Sequence, residues 1–269
     1  MYIFSKIYNY ILAKLAHYHI SRQLNLSIIK GVTYDKGSAL SRMSDDWEKM
    51  SDFSKAYSKM WEDMEKANYA KRKNSNNKSY IYLTSPWKIH HVCWSAFHCA
   101  SNLDGDFVDI GTGAGVTIRA ARYYLLENGI IPPKCFCFDR WDDRDATQHL
   151  TQNEIDDGIC PSTYINDFSQ VKEIFKNHKN CEYFQGLLPY TLDDAVIKKI
   201  SFIYSDLNAA IPEIMTIKRL WDKVVSGGII MIDDYGMFTE TRNQWNEFAV
   251  QKGVKISSLA EGPGLLIKP

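Results

Sequence analysis

The chain has 269 residues, 45% hydrophobic, 13% aromatic and 24% charged, a globular composition with enough apolar material for a sizeable core. Lys+Arg and Asp+Glu both number 32, which excludes the global basic field of a nucleic-acid-binding protein. No uninterrupted apolar run approaches the roughly 20 residues of a membrane span, and RNP and zinc-finger patterns are missing.

The six cysteines are Cys93, Cys99, Cys135, Cys137, Cys160 and Cys181. No CxxC occurs and no Cys/His set has zinc spacing, so reduced thiols are expected. The amino terminus lacks the cleavage region of a secretory signal, and the expected compartment is the cytoplasm. Residues 1–30 carry Lys6, Lys14, Arg22 and Lys30 and no acid. Within them Ile3, Phe4, Ile7, Tyr8, Ile11, Leu12 and Leu15 follow the rhythm of a helix with one apolar face. That face is expected to pack on the body or on a second subunit. The competing expectation is peripheral contact with an anionic membrane at its inner face.

A second helix is expected from about Asp45 to Ala67, with Ser44 as cap and Trp47, Met50, Phe53, Tyr57, Met60, Trp61 and Met64 on one side. The basic polar stretch 71–79 reads as a linker. Residues 1–80 thus form a helical extension before a body of residues 81–269. Ser85-Pro86 opens a helix to about Ala100. β-rich runs then follow at 106–110, 134–139, 181–185, 200–206 and 228–233, alternating with helices near 116–128, 166–177, 191–198 and 212–225. After a helix near 240–252, residues 254–259 and 264–268 read as a closing hairpin. This order specifies an α/β fold: a doubly wound, mostly parallel seven-stranded sheet of Rossmann-like type with a terminal β-hairpin. In such sheets ligands bind beyond the carboxyl ends of the strands.

The first of these strands runs into Asp109-Ile110-Gly111-Thr112-Gly113-Ala114-Gly115. Its G-x-G-x-G spacing is not the G-x-G-x-x-G of nicotinamide folds, and Asp109 would repel a pyrophosphate. Both features argue against an NAD-dependent oxidoreductase. A cationic ligand suits the carboxylate, and S-adenosylmethionine carries an ammonium and a sulfonium. Asp139 closes the second strand, where an acid accepts hydrogen bonds from ribose hydroxyls. Asp206 and Asp233-Asp234 end two further strands. Three carboxylates gathered at one edge repel each other unless a hard divalent cation such as Mg2+ joins them.

Four blocks carry a family resemblance: Gly105-Asp-Phe-Val-Asp-Ile-Gly111, Cys137-Phe-Asp-Arg-Trp-Asp142, Tyr183-Phe-Gln-Gly186 with Tyr190-Thr-Leu192, and Gly227-Gly-Ile-Ile-Met-Ile-Asp-Asp-Tyr-Gly236. From about Ser85 onward the chain resembles the macrocin-type O-methyltransferases, a class I S-adenosylmethionine-dependent family. The resemblance implies a metal held by Asp206, Asp233 and Asp234. It also implies a cofactor site of Asp109, Gly111, Thr112, Gly113, Gly115 and Asp139, with Gln185 and Gly186 near the adenine. The acceptor is expected to be a hydroxyl of a small molecule or glycan, a sugar of a bacterial glycan or natural product above all. The family's D-x-D-x-Y run reads Asp206-Leu-Asn-Ala-Ala210 here, so Asn208 and Ala210 depart from it.

Methyl transfer is an in-line displacement that needs an aligned, deprotonated acceptor oxygen. Asp206 is expected to serve it through the metal. His149, in the long acidic segment 139–165, is the candidate base. The alternative is a non-catalytic methyltransferase-like protein that binds partners through its helical front.

Overall fold

The structure, a computed structural model, describes residues 51–66, 86–142, 150–156 and 167–269, all within a unit spanning Glu48–Pro269. The helix expected over residues 1–30, the front of the second helix and the basic stretch 71–79 lie outside the described residues. Among those described, no helix is long and apolar enough to cross a membrane.

Seven strands form one sheet: β1 (Asp106–Ile110), β2 (Cys135–Asp139), β3 (Cys181–Gln185), β4 (Ile200–Ser205), β5 (Val224–Ile232), β6 (Ile256–Ser258) and β7 (Gly264–Ile267). Their order is β3-β2-β1-β4-β5-β7-β6. The first five are parallel, while β7 runs antiparallel to both β5 and β6. β4 is buried at every position and β1 and β2 at all but one. Burial on both faces is why these strands read as continuous apolar runs rather than alternating ones. Phe107 and Phe202, paired across β1 and β4, pack edge to face at 5.3 Å.

The helices are α1 (Ser51–Lys66), α2 (Pro86–Asn102), α3 (Val116–Glu127), α4 (Gln152–Asp156), α5 (Phe168–Ile174), α6 (Ala210–Leu220) and α7 (Thr239–Lys252). In α1 the sequence places Phe53, Ala56, Met60 and Met64 at helical spacing, and all four are buried. A polar anchor accompanies them. Asp63 accepts hydrogen bonds from the Tyr123 hydroxyl and, at 3.2 Å, from Asn177 Nδ2. His178 Nε2 and Arg119 Nη1 lie at 3.5 and 3.7 Å from its carboxylate.

Three elements differ from their sequence expectation. The helix expected at 191–198 is a single 3-10 turn, Tyr190–Asp194. Leu192 and Ile197 enter the core while Val196 is exposed, and a five-residue spacing cannot keep two side chains on one helical face. The helix expected to begin at Pro212 begins at Ala210, because Glu154 Oε1 accepts the Ala210 N–H at 2.6 Å, a cap supplied by a side chain 56 residues away. β5 starts at Val224, ahead of the expected 228. Its register against β4 shifts between Ile200 and Phe202, and Gly227 N–H is bonded to Lys268 O.

One row of backbone hydrogen bonds aligns the strand ends. Gly111 and Thr112 N–H both reach Phe138 O, Gly186 N–H reaches Asp139 O, Asp206 N–H reaches Ile110 O and Asp233 N–H reaches Ser205 O. The residues that follow β1, β3, β4 and β5 are thereby fixed along a single edge.

Removing Asp63 takes away a buried carboxylate shared by Tyr123, Asn177 and the fully buried Arg119. Asp63→Ala is therefore expected to cost about 3–5 kcal/mol, measured by urea unfolding, with Asp63→Asn intermediate.

Candidate functional site

The β1–α3 loop forms the centre of the edge. Gly111 has φ +77°, and a Cβ there would lie 1.8 Å from Asp206 O, so only glycine lets the ends of β1 and β4 close together. Gly113, at φ +52°, faces open space instead: a Cβ would meet nothing within 4 Å. This bare stretch of backbone is where a ligand can approach. Gly115 packs on the Phe175 ring and starts α3. Thr112 is buried and its hydroxyl donates to Asp109 O at 3.1 Å.

Asp109 is 1% exposed, and neither carboxylate oxygen has a hydrogen-bond partner among the described residues. Burial raises its pKa to about 7, helped by the nearby Asp139 carboxylate and partly offset by Thr112. A buried carboxyl without a partner is costly, and an incoming cationic group lowers that cost.

Asp139 is committed to shaping the neighbouring loop. Its Oδ2 accepts Gly113 N–H at 2.7 Å and its Oδ1 accepts Trp141 N–H at 3.2 Å. Desolvation pushes its pKa up against these bonds. Each oxygen keeps a lone pair for a further donor such as a ribose hydroxyl. Trp141 adopts φ +44°, is 2% exposed, stacks on Phe168 and donates its indole N–H to Gly113 O at 2.8 Å. It locks the loop and offers no free face. Gln185 is exposed and donates to Trp141 O at 3.1 Å, with Gly186 directly behind it.

Asp206, Asp233 and Asp234 each offer a carboxylate oxygen, and the three oxygens lie within 4.8 Å of one another. Desolvation and mutual repulsion hold Asp206 and Asp234 well above the ordinary carboxylate range, with Lys88 opposing the rise in both. The Lys88 ammonium reaches Asp233 Oδ1 at 2.8 Å and Oδ2 at 2.9 Å. Burial alone would push the Lys88 pKa down, but the carboxylates of Asp233, Asp234 and Asp206 overcome it and raise it. Tyr204 also donates its hydroxyl to Asp233 Oδ1. Asn208, at φ +53°, donates its amide to Asp206 Oδ1 at 2.7 Å. With all three carboxylates ionised beside the Lys88 ammonium the formal charge is −2, and a divalent cation with oxygen ligands would stabilise that ionised form.

The structure thus brings together Asp109, the glycine loop, Asp139, Gln185 and Gly186 on one side, and the three aspartates on the other. His149 lies outside the described residues. Sequence reasoning missed three groups. Lys88 sits in the first turn of a helix, where a cation opposes the helix dipole, and that misfit was its signal. Glu154 is fully buried, accepting Thr151 N–H and Ala210 N–H, and so docks part of the long 139–165 segment beside Asp206. Glu213 is buried beneath the triad, accepts hydrogen bonds from Ser205 Oγ and Trp245 Nε1, and burial raises its pKa to about 7. The partners of Glu213 lie on other elements, and the only local signal of Glu154 was its Thr151-x-x-Glu154 capping spacing, which says nothing of its reach to Ala210.

Residues 90–259 match the family model described as Macrocin-O-methyltransferase (TylF). No curated protein sequence matches the chain. Among solved structures, the O-methyltransferase NovP aligns with a TM-score of 0.65 and 14% identity, over 80% of this chain and 99% of that one. The SAH-bound Podospora anserina methyltransferase PaMTH1 aligns with a TM-score of 0.54 and 12% identity, over 87% and 100%. CalS11, a calicheamicin methyltransferase, aligns with a TM-score of 0.51 and 12% identity, over 87% and 99%. At these identities the structural likenesses show the shared fold.

With a folded pKa near 7 against an unfolded 3.8, Asp109 binds its proton more tightly in the folded protein. Its contribution to stability is therefore largest at low pH and is lost as pH rises through about 4 to 7, by up to about 4 kcal/mol. Asp109→Asn is expected to remove that slope and to stabilise the ligand-free protein at pH 7.5, read by denaturant unfolding of both proteins across this range.

Proposed function

Because the chain belongs to the macrocin-O-methyltransferase family of S-adenosylmethionine-dependent O-methyltransferases, we propose that it methylates a sugar hydroxyl of a natural product or bacterial glycan with the help of a divalent metal, most simply Mg2+. The observation that carries this reading is the pairing, on one sheet edge, of a buried Asp109 whose carboxylate has no hydrogen-bond partner among the described residues with three carboxylate oxygens within 4.8 Å of each other.

S-adenosylmethionine supplies an electrophilic methyl on a sulfonium that is already a good leaving group. On this reading Asp109 receives its ammonium, the open backbone at Gly113 passes beneath it and Asp139 accepts its ribose hydroxyls. Gln185 and Gly186 border its adenine. Gly111, Thr112 and Gly115 hold the loop in the shape that makes this possible. A divalent cation on Asp206, Asp233 and Asp234 would supply Lewis acidity that lowers the pKa of an acceptor hydroxyl. The aspartates orient the acceptor, and Asp206 is the one whose backbone lies against Gly111 of the β1–α3 loop. His149, carried by the acidic segment after Asp139, is proposed to take the hydroxyl proton. Glu154 positions that segment by tying it to the start of α6. The substrate class is supported by the family's own namesake acceptor, macrocin, and by CalS11 being a calicheamicin methyltransferase.

The test is methyl transfer from S-adenosylmethionine to a panel of sugar-bearing acceptors, with and without EDTA and for Asp234→Asn. Chelation and the substitution are each expected to reduce turnover by about 100-fold or more, while calorimetric binding of S-adenosylmethionine persists in Asp234→Asn and is lost in Asp109→Ala. Transfer undiminished by EDTA would contradict the metal reading, and full cofactor affinity in Asp109→Ala would contradict the cofactor assignment.

A further inference from the structure

We propose that Lys88 is a tethered counter-cation that competes with the divalent metal for Asp233, so that metal affinity is set by displacement of this lysine. The inference rests on the reading of Asp206, Asp233 and Asp234 as a metal triad. Lys88 lies just outside the residues matched to the family model, which begin at 90.

Both oxygens of Asp233 face the one ammonium, at 2.8 and 2.9 Å, and Lys88 is only 8% exposed. Asp233 is itself 5% exposed and also accepts the Tyr204 hydroxyl, so its carboxylate is already held by protein donors on two sides. An ion bonded to an Asp233 oxygen at about 2.1 Å would stand within a few ångströms of the ammonium, in a site where water screens poorly. Two cations at that separation repel strongly, so one must give way. The lysine can. Its charge sits at the end of four flexible methylenes, in the first turn of α2, where the helix dipole disfavours it.

Without metal, Lys88 neutralises one of three neighbouring carboxylates and keeps the edge folded. When the metal arrives, the ammonium must withdraw, and that withdrawal opposes binding. A lysine that merely orients Asp233 for the metal would behave in the opposite sense, since its removal would weaken binding. The sign of the change in affinity separates the two roles.

The test is titration of the purified protein with Mn2+ alone, followed by electron paramagnetic resonance and calorimetry, for wild type, Lys88→Met, Lys88→Gln and Lys88→Arg. Removing the charge is expected to tighten Mn2+ binding by about tenfold or more, in both the Met and Gln variants, while Lys88→Arg stays near wild type. Thermal melts in EDTA are expected to fall for the two neutral variants and to recover on adding Mn2+; Lys88→Gln serves if Lys88→Met does not fold. Binding by the neutral variants but not by wild type would also support the proposal, with lysine standing permanently in the metal's place. Equal or weaker binding by folded neutral variants, with wild type binding Mn2+, would overturn the competition and leave the triad intact. Binding by none of the proteins would sink the triad reading and the competition with it.

Discussion

Five aspartates end up desolvated along one edge of a parallel sheet, and this concentration of negative charge is the constraint around which the molecule is built. Parallel strands all finish on the same side, so acids placed at their ends converge however far apart they stand in the chain. Asp109, Asp139, Asp206, Asp233 and Asp234 come from four strand ends. Asp139 is relieved by backbone N–H groups and Asp233 by Lys88 and Tyr204. Asp109 has no such relief among the described residues, and Asp206 and Asp234 have less than their charge requires. An edge of this kind is unfavourable when empty and strongly receptive to cations.

The supporting structure follows from that constraint. Gly111 permits β4 to come close enough for Asp206 to face the β5 aspartates, and Asp206 N–H closes on Ile110 O. Glu213 ties β4 to α7 under the site through Ser205 and Trp245. Glu154 caps α6 from the long segment between β2 and β3. On the far side of the loop, α1 docks onto α3 through Asp63 and a buried apolar face, fixing the helix that Gly115 begins. The edge is thus held on both sides by elements tied to it through buried polar contacts.

Much of the fold was legible because it rests on local signals. Short Val/Ile/Phe/Cys runs separated by amphipathic stretches place strands and helices to within a few residues, and acids directly after those runs mark the edge. The parts that were not legible depend on contacts between distant residues. The start of α6 depends on Glu154, which no local pattern around Pro212 reveals. Residues 191–198 have helical composition, yet the core takes Leu192 and Ile197 at a spacing no helix serves. Trp141 reads in the sequence only as part of a family block, yet its ring locks the loop through Gly113 O and Phe168. Lys88 shows in the sequence only as a cation in a first helical turn, because its partner stands 145 positions away.

The proposed function requires this edge to receive two cationic groups at separate places: an ammonium at Asp109 and a divalent ion among Asp206, Asp233 and Asp234. A crystal structure of the protein with S-adenosylhomocysteine and Mn2+, with anomalous data collected for manganese, tests it most directly. The amino group of the ligand is expected against Asp109, the homocysteine chain over Gly113 and one manganese peak bounded by the three aspartates. A ligand amino group bonded elsewhere, or manganese absent from the triad at saturating concentration, would contradict it.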